Sequence, residues 1–328
     1  MNTPGDKNRN RQRLLRKSQQ RGTDYNARVW ILKCELCENV YGSNSTDGWE
    51  RKCPNCQNGR PGLDIPTERD GKDWTRDEHI IAFHRYNRIE FGKIHTGNPE
   101  VVELAALLGR KVGSAALKLT NFARLDPTLQ ARHIKGMSHG SKGEADVWEE
   151  FTDHPELLVI ESTRLLAALL GSNVEDLVEI KVTELPPPGR EREALVKLRV
   201  NQTFFRDRVL SAYGFRCCVT GLAHKELLNA SHIVGWARDE KNRLNPRNGL
   251  CLNALHDRAF DRCLMWIDRD FKVRFAPLLR RGLSDSNQSL AWLLSFEGEP
   301  LLLPSGFRPD PELLAQHASR ALETADSE

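Results

Sequence analysis

No apolar run in this sequence approaches the length that spans a bilayer, and the N-terminus MNTPGDKNRNRQRLL lacks the apolar core of a secretory signal. A membrane partner is therefore not expected, and a cytoplasmic chain is. Internal repeats are missing too, which sets aside solenoids and propellers. Without a secretory signal, the eight cysteines do not read as a disulfide framework and point instead to metal ligands or buried thiols. A strong excess of one charge is also lacking, since the net charge is only +3. That balance hides an asymmetry: residues 1–22 hold seven Lys/Arg against one Asp. A basic, Asn/Gln-rich arm of this kind cannot bury a core, so residues 1–27 are expected to be a disordered tail. It would serve either to solubilise the chain or to contact nucleic acid phosphates.

What is present is enough for real cores. At 328 residues, 39% apolar and 28% charged, the chain should form two or three compact units of mixed α+β class with wet surfaces. Cys34 and Cys37 in CELC, and Cys53 and Cys56 in CPNC, form two knuckles joined by a polar arm. Four thiolates so spaced match the tetrahedral demand of structural Zn²⁺, and residues 28–66 are expected to be a zinc ribbon.

Helix signals follow. WTRDE offers a capping box, with Thr75 as N-cap and Glu78 three residues on. Asn98-Pro99 opens a second helix that places Val101, Leu104, Ala105 and Leu108 on one face and stops at Gly109. Ser114 is expected to cap a third, with Ala115, Leu119 and Phe122 inward and Lys118 and Asn121 outward. Residues 70–160 thus resemble a helix-turn-helix or SANT-like module. That resemblance would offer Lys118, Asn121 and Arg124 to a DNA groove, the alternative being a helical spacer with a solvated face.

A linker is expected over 161–189, where Pro186, Pro187 and Pro188 bar a helix. A further unit should run from 190 to 280. A C-terminal loop and helix, begun at Asp310-Pro311, should occupy 281–328.

The series VKLRVNQTFFRDRVLSAYGFRCCVTG, ASHIVGW and RLNPRNGLCLNALHDRAFDRCLMWID resembles the HNH endonuclease family, specifically bacterial restriction-type HNH proteins. The cysteine unit and the WTRDE to LKLTNFARLDP segment also look like what precedes HNH domains in such proteins. The resemblance implies a C-terminal ββα-metal nuclease domain and a DNA substrate cut in defence against foreign DNA. By the family pattern His232 is the general base, His256 binds the single divalent metal (Mg²⁺ or Mn²⁺), and Asn248 holds the loop and orients the base. A histidine suits the first role because its pKa lies near ~6.5.

Several positions depart from that pattern. Ser231 stands where a second metal ligand is common, and a hydroxyl is a poor cation ligand beside a carboxylate. Asp257 and Asp261 are the nearest substitutes, although Asp257 should project about 100° from His256. Cys263 stands where glycine is frequent, so the turn there must avoid positive φ or accept strain. Cys217, Cys218, Cys251 and Cys263 are expected to be buried thiols. Between Arg190 and Asn248 there are twelve Lys/Arg against six Asp/Glu. Arg238, Lys241, Arg243 and Arg247, in the loop beside the histidines, are candidates to hold the DNA backbone. Phe205 and Val209 should pack a helix on the hairpin, with Gln202 and Arg206 facing out. Two other classes stay open: a DNA-binding protein whose HNH fold has lost catalysis, as Ser231 hints, and a nuclease switched by a regulatory partner. A homodimer is a further candidate assembly.

Overall fold

The computed structural model describes all residues except 2, 131–139, 179, 181–182, 184, 282–286, 305–306 and 327–328. Parts of the expected helical middle, linker and C-terminal loop therefore lie outside the described residues. The chain divides into two compact units, Met1–Val200 and Asn201–Glu328. No helix among the described residues is long and apolar enough to cross a membrane.

The first unit opens with an antiparallel sheet of β1 (Gln12–Arg21), β2 (Arg28–Cys34) and β3 (Val40–Asn44), in that order. This corrects the expected disordered tail. Leu14 and Leu15 are buried, and Arg13 bonds Glu35 at 2.7 Å, so the arm's apolar pair and its charges both find partners. The basic composition hid a strand that needs its neighbours in order to bury anything.

Among the described residues seven α-helices follow: α1 (Arg76–Tyr86), α2 (Pro99–Leu108), α3 (Val112–Ala123), α4 (Pro127–Gln130), α5 (Lys142–Phe151), α6 (Pro155–Leu169) and α7 (Val174–Leu177). Thr75 and Glu78 form the capping box of α1. Asn98 caps α2, and Gly109 ends it at φ 64°, in the left-handed region that glycine adopts freely. α6 occupies the start of the span expected to be a linker. Its Leu158 and Leu165 belong to the same core as Phe83, Leu104 and Phe122.

The third helix begins at Val112 rather than after Ser114, and its polar face is not outward. Lys118 is three residues after Ala115 and four before Phe122, so it shares the buried stripe. It is 7% exposed and pairs with Glu144 of α5, which is fully buried. Asn121 donates to the same carboxylate at 3.1 Å, and Arg124 lies 3.6 Å from it. All three residues expected to face a DNA groove therefore gather on one buried acid.

The second unit begins within α8 (Arg190–Ala212) and holds a hairpin of β4 (Leu228–His232) and β5 (Gly249–Asn253), and α9 (Ala254–Asp261). A second hairpin, β6 (Met265–Ile267) and β7 (Val273–Phe275), is followed by α10 (Pro277–Arg281), α11 (Gln288–Leu294) and α12 (Pro311–Asp326). The unit boundary falls inside α8, ten residues after the expected start at 190, and α12 belongs to this unit rather than to a separate tail. Cys263 takes φ 57°, accepting the left-handed turn. Cys217, Cys218 and Cys251 are fully buried.

Glu144 yields a testable consequence. Lys118, Asn121 and the Ser141 amide hold its carboxyl below the usual value of 4.5 against the opposing effect of burial. Its share of stability is complete above pH 4.5 and is lost as pH falls through the lower folded value. Glu144→Gln leaves Lys118 charged and buried, and should cost about 3 kcal/mol at pH 7, the scale for breaking a buried pair. The deficit measured by denaturant unfolding should shrink in acid.

Candidate active site and metal centre

In the first unit, β2 delivers Cys34 and the turn after it Cys37, while the loop after β3 brings Cys53 and Cys56. The four sulfurs lie within 4.8 Å of one another. Cys34 and Cys56 are 3.6 Å apart, as are Cys37 and Cys53. The edge of a tetrahedron with Zn–S of 2.3 Å is about 3.8 Å, so the cluster has the size of a zinc site. N–H groups converge on the sulfurs as they do on thiolates: the Asn55 amide reaches Cys53 Sγ at 3.4 Å, and Gln12 Nε2 reaches Cys34 Sγ at 3.6 Å. Burial resists ionisation of Cys37, yet Asn39, Asn55 and neighbouring thiols bring it down to about 7, while Cys53 and Cys56 are pushed up. Four thiols this close cannot all ionise without a cation. The donor set therefore fits a structural metal.

In the second unit, a cavity of about 820 Å³ opens against β4 and α9. His232, the last residue of β4, faces it from a tight mount. Phe205 of α8 stacks on the imidazole with ring centroids 3.6 Å apart and planes 11° from parallel, and Trp236 meets it edge-on at 5.6 Å. Nε2 lies 3.0 Å from the Arg243 carbonyl, an acceptor, so Nε2 carries the proton. Nδ1 is then the basic lone pair, with no protein partner among the described residues. Burial lowers the pKa from its usual 6.5, opposed by the Arg243 carbonyl, so the ring is neutral at pH 7.

The stack depends on a glycine. Gly249 pairs with His232 across the hairpin, and a Cβ there would meet Val209 Cγ2 at 2.4 Å and Phe205 Cζ at 3.0 Å. Asn248, fully buried, ties the hairpin loop together. Its Oδ1 accepts from the Val234 amide at 2.8 Å, and its Nδ2 donates to the carbonyls of Val234 at 3.0 Å and Asn242 at 3.1 Å. The carbonyl that holds His232 belongs to the next residue, Arg243.

His256 is not brought to this cavity, and here the structure corrects the expectation. It is fully buried, its Nδ1–H donates to Asn253 Oδ1 at 3.0 Å, and Trp292 and Phe296 meet its ring edge-on. Nε2 is buried without a partner among the described residues, and burial brings the pKa down to about 4. The reason is the turn of the helix. Successive residues of α9 differ by about 100°, so His256 and Phe260 share the core face while Asp257 and Asp261 share the cavity face. Asn229 donates to Asp257 at 2.7 Å, and Ser231 donates to its other oxygen. Desolvation and the neighbouring Asp257 raise the pKa of Asp261, opposed by the positive charges of Arg258 and Arg320. Two like-charged carboxyls on one face favour a cation between them. Mg²⁺ is commonly bound by one or two carboxylates plus water and substrate phosphates, so this donor set fits such an ion. Among the described residues, only the four cysteines form a group of three or more converging ligands.

The expected DNA contacts separate. Arg238 lines the cavity and Lys241 and Arg247 are exposed. Arg243 is instead spent within the loop, donating to the Trp236 carbonyl at 2.9 Å and to Glu240 at 3.0 Å. Gln202 and Arg206, expected to face out from the helix, line the cavity. Asn229, Arg262, Arg320 and Thr324 also line it and were not anticipated. The i,i+4 spacing of Asp257 and Asp261 against the stripe of His256, Ala259 and Phe260 was a usable signal. Nothing local marked Arg320.

A strand-borne imidazole faces a helix with two carboxyls across a cavity rimmed by arginines. Residues 217–268 match the HNH endonuclease family, and the second unit contains a domain of that family. No curated protein matches the chain at a significant level.

Two outcomes follow. Cys53→Ser, or a strong chelator, should release one zinc per chain by elemental analysis and unfold the β1–β3 region. Gly249→Ala should cost about 1–3 kcal/mol, the usual penalty for overpacking. Because Phe205 must shift, it should also lower any His232-dependent cleavage in a plasmid assay.

Proposed function

We propose that the chain is a metal-dependent DNA endonuclease, with His232 as general base, acting in restriction of foreign DNA as the resemblance to restriction-type HNH proteins implies. The observation that carries this reading is the mount of His232. Its Nε2–H is committed to a carbonyl, its Nδ1 has no partner among the described residues, and the ring is neutral at pH 7.

In this reading Nδ1 takes the proton of the water that attacks phosphorus. The Phe205 stack and the Asn248-tied loop keep the ring from turning away. Arg238, Lys241 and Arg247 hold the DNA backbone, setting position without reading sequence. Asp257 and Asp261 would hold the divalent ion, Mg²⁺ or Mn²⁺, which supplies charge neutralisation at the phosphate. Ser231 and Asn229 keep the Asp257 carboxylate aimed.

DNA binding without cleavage is the second reading. It is favoured by the burial of His256 and by Ser231 standing where a ligand is common. Plasmid cleavage with Mg²⁺ or Mn²⁺ separates the two. Cleavage that drops by at least about 100-fold in His232→Ala, on the scale of lost general-base catalysis, supports the enzyme. A gel shift without cutting under either metal supports the binder. For the enzyme, activity should fall as pH drops through the His232 pKa. The acid limb of the kcat/KM profile should therefore have its midpoint below 6.5.

A further inference from the structure

α12 lies outside the span that matches the family, yet it reaches the cavity. Its apolar stripe is Leu313, Leu314, His317 and Ala321, all buried. His317 stacks on Phe260 of α9 with centroids 3.7 Å apart and planes 2° from parallel. Its Nε2 donates to the Phe260 carbonyl at 3.1 Å, near the end of α9, beside the Cys263 amide that the same carbonyl accepts. This docking fixes the rotation of α12 relative to the carboxyl-bearing helix. Arg320 follows His317 by three residues and sits at the edge of the docked stripe, where it lines the cavity with Thr324.

The surroundings of Arg320 are those of a group awaiting an anion. It is half-buried, and its one hydrogen bond among the described residues is from Nε to Cys263 Sγ at 3.3 Å. No carboxylate forms an ion pair with it among the described residues; Asp261, across the same cavity, is near enough for Arg320 to act against the rise of its pKa. Of the other arginines that line the cavity, Arg238 and Arg262 are exposed, and Arg206 is committed to the Leu228 carbonyl at 2.8 Å. A guanidinium with both terminal nitrogens uncommitted matches the two-pronged geometry of a phosphate.

We propose that Arg320, carried by the C-terminal helix, is the residue that grips the scissile phosphate, so that α12 completes the nuclease site. This rests on the endonuclease reading of the cavity. The grip neutralises charge that grows on the phosphate oxygens as water adds. It also makes the C-terminal 16-residue helix part of the active site rather than a tail.

The test uses the full chain and two readouts. In cleavage assays Arg320→Gln should lower kcat/KM by about 100-fold, the scale of one lost oxyanion donor. Its thermal midpoint should stay close to that of the parent. In the His232→Ala background, binding of a short duplex is followed against salt. Adding Arg320→Gln should reduce the slope of log Kobs on log[salt] by about 0.9, one phosphate contact, while Arg320→Lys keeps the slope. If Arg320→Gln does not fold, Arg320→Lys is read alone. A kcat lowered by about 10-fold or more, from loss of the fork, supports the grip, and an unchanged kcat overturns it. An unchanged slope overturns the phosphate contact whatever happens to cleavage. A parent that never cuts, with the slope still reduced by Arg320→Gln, upholds the contact and rejects the endonuclease reading. A chain that binds no DNA rejects both.

Discussion

The face-to-face packing of Phe205 on His232 is the contact on which the candidate site depends. It joins α8 to the end of β4 and sets the plane of the imidazole, while the Arg243 carbonyl selects which nitrogen holds the proton. A bulkier residue at Gly249 would displace the stack, because the space that a Cβ would need there is filled by Phe205 and Val209 of α8. Asn248 secures the arrangement from the other side by closing the loop that supplies the carbonyl. One ring is thus held by a stack, a hydrogen bond and a loop clamp at the edge of the cavity.

The second jaw is the helix that follows the hairpin. Asn253 caps α9 with its side chain and in doing so captures His256 as well, which turns that ring into the core against α11. The rotation that hides His256 presents Asp257 and Asp261 to β4. Ser231, a poor ligand by itself, then acquires a different use as a donor to Asp257. The departure at Ser231 and the placement of the two carboxyls are therefore parts of one local rearrangement.

The first unit follows a different logic, in which charge is buried and answered internally. Glu144 gathers Lys118, Asn121 and Arg124, and Glu78 pairs with Arg110 at 2.8 Å. Such pairs contribute little net stability but are costly to break, so they specify how the helices meet. The cysteine cluster plays the corresponding part for β1–β3, where the apolar core is small.

Much of this was readable from local pattern alone. The four-cysteine spacing, the capping box at Thr75 and Glu78, the Asn98-Pro99 helix with its Gly109 stop, and the order of His232, Asn248 and His256 all appear in the chain itself. They were legible because capping, metal ligation and family motifs are set by residues close in sequence. The strand at Gln12–Arg21, the inward turn of Lys118 and the approach of Arg320 were not, since each is decided by a partner far along the chain: β2, Glu144 and Phe260 with its docked His317. Residue order determined that His256 and Asp257 would be neighbours on one helix. Only the packing of that helix against β4 and α11 decided which of the two would face the cavity, because 100° of rotation separates a core side chain from an exposed one.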